Sequence, residues 1–182
     1  AEPKIGLCLS SETPNRHLSK ITQMFDSLIE KRNIKLLGIP MNPITDALQL
    51  EEFRSGLSNP ESMHVIQGVY EPDEITAVTS KVDVVISCRL QLLILASITL
   101  TPFINIGQGN GGSHFTGQFD LPNLEAVERL APAKLNSEIE RLLDGRTPFR
   151  TKAKEVRLEM MARLKAVKPI LKKELGDLGD QE

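Results

Sequence analysis

Short apolar runs alternate with helically spaced apolar positions along the first hundred residues of the chain. Five of the runs are short and rich in β-branched residues, which is typical of strands buried on both faces. The predicted strands are residues 4–10, 34–41, 63–68, 82–88 and 103–106. Between them, apolar residues at helical spacing predict helices over residues 16–31, 45–57, 72–82 and 90–100.

This alternation predicts one parallel sheet, because a strand, a helix and a further strand join most readily through a right-handed crossover. The fold class is therefore α/β, a Rossmann-like three-layer sandwich of about five parallel strands in the order 3-2-1-4-5. In that order the first and fourth strands are neighbours whose crossovers leave to opposite faces. We expect a binding crevice at the carboxyl ends of these two strands.

After residue 123 the pattern is helical throughout. It predicts helices over residues 124–130 and 132–143, and a long final helix over residues 149–175. We assign residues 1–146 to one Rossmann-like domain and residues 147–182 to a terminal helix that packs on it. The polar face of that helix is rich in lysine and arginine, so the alternative is peripheral association with an anionic membrane.

Composition narrows the classes of function. A chain of 182 residues with 40% hydrophobic content suits one packed domain. The formal charge of −2, the absence of Trp and the single Tyr argue against a nucleic-acid binder. No apolar run would span a bilayer and no signal peptide is evident, so we expect a cytoplasmic protein. Cys8 and Cys88 fall in predicted strands and are expected to be reduced, and no metal-ligand cluster is apparent.

Arg89 is the main candidate for binding a ligand, because it stands where a buried strand turns into a helix. Its guanidinium and the first amides of the helix, from Leu90 onward, both favour a phosphate or carboxylate. The alternative is that Arg89 pairs only with a neighbouring acid at the sheet edge.

Other polar and glycine positions are expected to surround Arg89. These candidates are Ser10, Ser11 and Arg16 after the first strand, Gln91 in the helix, and Gly107 and Gly109 after the fifth strand. The glycines would let a ligand approach the backbone closely. His114 follows the glycine-rich stretch and is a candidate proton donor.

The region around Arg89 also resembles a known family. The motif runs Asp83-Val84-Val85-Ile86-Ser87-x-Arg89-Leu90-x-x-Leu93-Ile94-x-Ala96 and is followed by Pro102-Phe103-Ile104. It is similar to the signature of the polysaccharide pyruvyl transferases, in which D-x-V-I-S is followed by R-L-H. The resemblance implies the carboxyl-terminal domain of a GT-B-like architecture. It also implies that Arg89 contacts phosphoenolpyruvate, whereas Gln91 replaces the histidine of the family.

The resemblance further implies a transferase of polysaccharide biosynthesis. Phosphoenolpyruvate would be the anionic donor, a cell-envelope or exopolysaccharide sugar would be the acceptor, and the product would be a pyruvyl ketal with no separate cofactor. The chain would supply half of the active cleft, and a partner domain or a second copy in a homo-oligomer would complete it. Glutamine cannot exchange a proton near neutral pH, so His114 would have to act instead.

Two alternatives remain at this stage. One is a GT-B-type glycosyltransferase domain that binds a nucleotide sugar in the same crevice. The other is a non-catalytic binding domain that has lost the histidine of the motif.

Overall fold

A single parallel sheet forms the centre of the protein. The computed structural model describes residues 2–10, 15–107, 110–122, 124 and 132–175, without the side chains of residues 15–17 and 170–175. The sheet order is β3-β2-β1-β4-β5, which confirms the predicted topology. Its strands are β1 (Lys4–Cys8), β2 (Lys35–Gly38), β3 (Met63–Val65), β4 (Val84–Ser87) and β5 (Phe103–Asn105).

Helices cover both faces of the sheet. Between the strands they are α1 (Asn15–Arg32), α2 (Thr45–Gly56), α3 (Pro72–Thr79) and α4 (Leu90–Ile98). Those after the sheet are α5 (Asn110–Gly117), α6 (Pro132–Asp144) and α7 (Arg146–Leu175). The observed strands are shorter than predicted, and α3 ends before residue 82. The predicted helix over residues 124–130 lies almost entirely outside the described residues.

Alternation along the strands separates two apolar layers. Ile5 and Leu7 of β1 pack with α1, α2 and α6, whereas Cys8 packs with α3, α4, α5 and α7. Strands covered on both sides in this way need apolar residues on both faces, which explains their nearly continuous apolar sequence. The three-layer sandwich is thus the arrangement that buries both faces of the sheet.

Helix α5 was not predicted, because its sequence is rich in glycine and was interpreted as a loop. Tertiary packing explains why it forms. Phe115 stacks on Phe103 of β5 with ring centroids 5.7 Å apart, and Phe119 meets the same ring edge-on at 5.0 Å. A helix with poor intrinsic propensity can be stabilised when an aromatic cluster of this kind buries one of its faces.

The two ends of α7 differ in their contacts. Near its start, α7 buries three residues against the face of the sheet that α4 also covers, namely Phe149, Ala153 and Val156. Farther along the helix, Leu164 and Val167 are 65% and 44% exposed, and every residue from 161 to 169 is exposed. None of the helices in the described part of the chain is long and apolar enough to cross a membrane.

Candidate functional site

Three loops meet at Cys88, at the carboxyl edge of the sheet. Cys88 follows β4 directly, and its N–H donates to the carbonyl oxygen of Cys8 at 3.1 Å. Ser10, just after β1, hydrogen-bonds the thiol of Cys88. From β5, Gly107 approaches so closely that a Cβ atom there would lie 2.3 Å from the carbonyl oxygen of Cys88. Backbone atoms from three strands are therefore in contact at this edge.

The turn from β4 into α4 is held by Ser87. Its buried hydroxyl accepts a hydrogen bond from the N–H of Arg89 and donates to the carbonyl oxygen of the same residue, both at 2.9 Å. Arg89 is the N-cap of α4, and no described side chain caps the amides of its first turn. Helix starts without a cap leave peptide N–H groups available to an anion.

The starts of α2 and α3 differ from that of α4 in this respect. Asn42 Oδ1 accepts hydrogen bonds from the amides of Ile44 and Thr45 at the start of α2, at 3.0 and 2.9 Å. At the start of α3, Glu71 and Glu74 form a reciprocal capping box. Of these three helices, α4 is the one whose first amides lack a side-chain acceptor in the part of the chain that the structure describes.

Arg89 forms an ion pair with Asp46 in the first turn of α2. Its Nη2 lies 2.8 Å from Asp46 Oδ1, and its Nε donates to Oδ2 at 3.3 Å. The Asp46 side chain is fully buried, while that of Arg89 is 30% exposed. Asp46 Oδ2 also accepts the N–H of Asn42 at 2.9 Å and the thiol of Cys8 at 3.8 Å. The carboxylate thus fixes the position of the guanidinium.

One edge of the guanidinium remains available. Asp46 binds Nε and Nη2, and no described residue accepts a hydrogen bond from Nη1. The hydrogen bond that Arg89 donates to Asp46 raises the pKa of Arg89, so the side chain stays charged. Arg89 is therefore a rigid, permanently charged group with one free edge at the sheet edge.

The thiols of Cys8 and Cys88 are unequal. Proximity of the Cys8 thiol lowers the pKa of Cys88, and Ser10 and the charge of Arg89 act in the same direction against the effect of burial. The same contact and complete burial raise the pKa of Cys8. Cys88 is thus the more acidic thiol of the two.

Glycines form the wall of the site that comes from β5. Asn105 is buried, and its Oδ1 accepts the N–H of Gly107 at 2.9 Å. Its Nδ2 has no hydrogen-bond partner among the described residues, and a Cβ atom at Gly112 would lie 2.6 Å from that nitrogen. A Cβ atom at Gly111 would lie 3.6 Å from Leu90 Cδ2, so the starts of α4 and α5 are neighbours.

The structure places the predicted site residues as follows. Ser10, Arg89, Leu90 and Gly107 come together around Cys88, and Gln91 is exposed in the first turn of α4. His114 is exposed on α5, and no hydrogen bond joins it to the other described site residues. Ser11 and Gly109 lie outside the described residues. Arg16 is in α1, but its side chain also lies outside them.

Sequence reasoning missed three residues that shape the site. Asp46, Ser87 and Asn105 are all buried polar residues at or just beyond the carboxyl ends of β2, β4 and β5. A signal for Asp46 was present, since it is an acid in the first turn of a helix that follows a strand neighbouring β1. The carboxyl ends of parallel strands share one edge, so this acid could have been proposed as the partner of Arg89.

The arrangement suits recognition of an anion. It offers a guanidinium edge and helix amides that no described side chain caps, beside glycines that let the ends of β4 and β5 pack closely together. Among the described residues, no group of three or more His, Cys, Asp or Glu side chains could hold a metal ion.

Solved structures share this fold. Comparison of the sequence with protein-family models and with curated proteins gives no match. The UDP-GlcNAc 2-epimerase of Neisseria meningitidis bound to UDP-GlcNAc aligns over 90% of this chain and 45% of its own, with a TM-score of 0.61 and 11% identity. The S. aureus MnaA structure with UDP aligns over 84% of this chain and 40% of its own, with a TM-score of 0.62 and 10% identity.

A glycosyltransferase is also similar. The kitacinnamycin glycotransferase aligns over 94% of this chain and 43% of its own, with a TM-score of 0.58 and 15% identity. The chain therefore spans less than half the length of each of these three proteins. The likeness shows that the chain has a GT-B-like, Rossmann-type fold.

The close approach at Gly107 predicts a position-specific effect of alanine. Gly107→Ala should lower the free energy of unfolding by about 1–3 kcal/mol, because the new Cβ would displace the backbone of Cys88. Gly117→Ala is the matched control, since a Cβ there meets nothing within 4 Å. It should leave stability unchanged or raise it by up to about 1 kcal/mol. Urea unfolding measures the free energy of unfolding of both variants. Equal effects of the two substitutions would contradict the close approach of Gly107 to the backbone of Cys88.

The Asp46–Arg89 pair predicts strong coupling in a double-mutant cycle. Arg89→Ala leaves a buried carboxylate without its cation, so combining it with Asp46→Ala should recover part of the loss. We expect a coupling free energy of about 2 kcal/mol, below that of a fully buried pair because Arg89 is partly exposed. Arg32–Asp144, whose side chains are 34% and 64% exposed, is the control pair and should couple by less than about 1 kcal/mol. Similar coupling in both pairs would show that burial of Asp46 has no effect.

Proposed function

We propose that the crevice between β1 and β4 binds the diphosphate of a nucleotide-linked sugar, as part of a GT-B-type sugar-transferring or sugar-modifying enzyme. The observation that carries this proposal is the free guanidinium edge of Arg89 beside the uncapped start of α4. A diphosphate offers several acceptor oxygens to these donors at once, whereas a neutral sugar lacks the charge that both groups favour.

The Asp46 carboxylate determines how this site would work. It cancels much of the net charge of Arg89. The site therefore attracts anions in general less strongly than an unpaired arginine would. In return, Arg89 is held in one orientation before the ligand arrives, which lowers the entropic cost of binding. The helix amides then add partial positive charge that no carboxylate among the described residues caps. Together these features favour a ligand whose oxygens match a fixed geometry.

The similar structures support this ligand class. Two of these structures are complexes, one with UDP and the other with UDP-GlcNAc. Because the chain spans less than half of those proteins, the acceptor side of the cleft would come from another domain or another chain. In this proposal the chain supplies the donor-binding half, and the sugar acceptor is bound elsewhere.

Phosphoenolpyruvate is the second candidate ligand. The observation that favours it is the run from Asp83 to Leu90, which resembles the signature of the polysaccharide pyruvyl transferases. Phosphate and carboxylate would occupy the same donors at Arg89 and α4. This candidate lacks an evident proton donor, since Gln91 stands in the position of the histidine of the family and His114 has no described contact with Arg89. A non-catalytic binding domain would use the same anion site without that step.

Binding of UDP and of phosphoenolpyruvate to the purified chain distinguishes these candidates. UDP should bind measurably by isothermal titration calorimetry, and Gln91→Glu should weaken it about tenfold or more, about 1.4 kcal/mol, because the new carboxylate faces the ligand phosphates. The same variant should not destabilise the protein, since an acid favours a helix start. Binding and stability would then change in different directions, which excludes loss of folding as the cause.

Gln23→Glu is the matched control, because Gln23 is exposed on α1 and lies more than two turns from the start of that helix. It should leave UDP binding unchanged. Tighter binding of phosphoenolpyruvate than of UDP would favour the pyruvyl transferase candidate. Binding of neither anion, or UDP binding that Gln91→Glu does not weaken, would refute the proposal.

A further inference from the structure

A cavity lies at the amino ends of β1 and β2, next to the end of α3. Its volume is about 340 Å³, within the range of about 300–1,000 Å³ that is usual for small-molecule sites. Lys4 and Lys35, the first residues of β1 and β2, contribute to its lining. Because β1 spans five residues at about 3.3 Å each, its two ends lie about 13 Å apart. The cavity is therefore separate from the crevice around Arg89, at the opposite edge of the sheet.

The apolar part of the lining comes from three side chains, those of Leu37, Val78 and Val82. All three pack with the core layer on the face of the sheet that α4 covers. Val82 is buried, whereas Leu37 and Val78 are only partly buried. An apolar group that entered the cavity would remove the remaining surface of Leu37 and Val78 from water, which favours binding.

The polar part of the lining comes from three exposed lysines, Lys4, Lys35 and Lys81. Within the part of the chain that the structure describes, no ion pair joins any of them to an acid. Lys4 and Lys35 are register partners in neighbouring strands, so their side chains leave the same face of the sheet side by side. Like charges placed opposite each other in a sheet are destabilising, and an anion between them would relieve that repulsion.

Asp83, which follows Val82 in the chain, does not neutralise these lysines. Its Oδ2 accepts the backbone N–H of Lys4 at 2.7 Å, and its Oδ1 pairs with Arg146 Nη1 at 2.6 Å. The charge of Asp83 is thus balanced by Arg146. The three ammonium groups keep a net positive charge beside an apolar cavity.

We propose that this cavity binds a small aliphatic carboxylate. The alkyl chain would lie against Leu37, Val78 and Val82, and the carboxylate would lie among the three ammonium groups. Lysine acts as a point charge on a flexible stem, so the lysines select negative charge and the apolar lining selects an alkyl chain. UDP has no alkyl chain, so we expect it to bind at the crevice and not here. The inference does not depend on the proposed function.

An amide NMR titration with octanoate, kept below the concentration at which octanoate forms micelles, tests the proposal. The resonances around the cavity should shift and reach saturation, namely those of residues 35–37, 78 and 81–82. The compound 1-octanol keeps the chain without the charge, and acetate keeps the charge without the chain. Each should bind at least about tenfold more weakly than octanoate.

Lysine variants test the role of charge. Lys81→Gln should weaken octanoate binding about three- to fivefold, the effect of losing one exposed ion pair, and should leave 1-octanol binding unchanged. Lys20→Gln is the matched control, because Lys20 is exposed on α1, and it should change neither. Lys35→Gln should also weaken octanoate binding. It should not lower the free energy of unfolding, since it removes repulsion with Lys4.

Four outcomes would overturn the proposal. These are the absence of saturable octanoate binding, equal affinity for octanoate and 1-octanol, equal affinity for octanoate and acetate, and shifts centred on the exposed end of α7 at Leu164 and Val167. Gln91→Glu should leave octanoate binding unchanged, because Gln91 lies at the other edge of the sheet. Failure at this cavity and failure of the UDP site are therefore distinguishable.

Discussion

The ion pair between Asp46 and Arg89 links the starts of α2 and α4 at the carboxyl edge of the sheet. A fully buried carboxylate needs a compensating cation, because removing an unpaired charge from water is costly. Arg89 meets that need from across the sheet edge and is thereby fixed beside the start of α4. The same contact that stabilises the fold therefore orients the group we assign to the ligand. Structural pairing and ligand binding are compatible here because the pair uses only one edge of the guanidinium.

The fold could be predicted largely from the sequence, and its main exception has a physical cause. Runs such as Val84–Ser87 are apolar at every position, and this pattern together with the intervening helices predicted a parallel sheet in the observed order. Helix α5 was missed because local propensity disfavours it. Its stability comes from the contact of Phe115 with Phe103 of β5, a tertiary contact that leaves no periodic pattern among the glycines.

The site could be predicted only in part, since the place of a residue in the fold is easier to infer from the sequence than the residue with which it pairs. The switch point of the sheet indicated where Arg89 would lie. Gly107 was expected to admit a ligand, and in the structure it packs against the backbone of Cys88. To predict that Arg89 pairs with Asp46, one would need to know which of several acidic residues reaches the carboxyl edge of the sheet. Likewise, Cys8 and Cys88 were both interpreted as buried strand residues, whereas Cys88 lies just past the end of β4, in contact with Ser10.

An amide NMR titration with UDP tests the central claim, that the anion site is the crevice around Arg89. Hydrogen bonds from the start of α4 to phosphate would shift the amide resonances of Leu90 and Gln91, and that of the adjacent Gly107. Residues at the amino ends of the strands, such as Lys4 and Lys35, should keep their resonances. Shifts centred on that opposite edge, with α4 unaffected, would contradict the account.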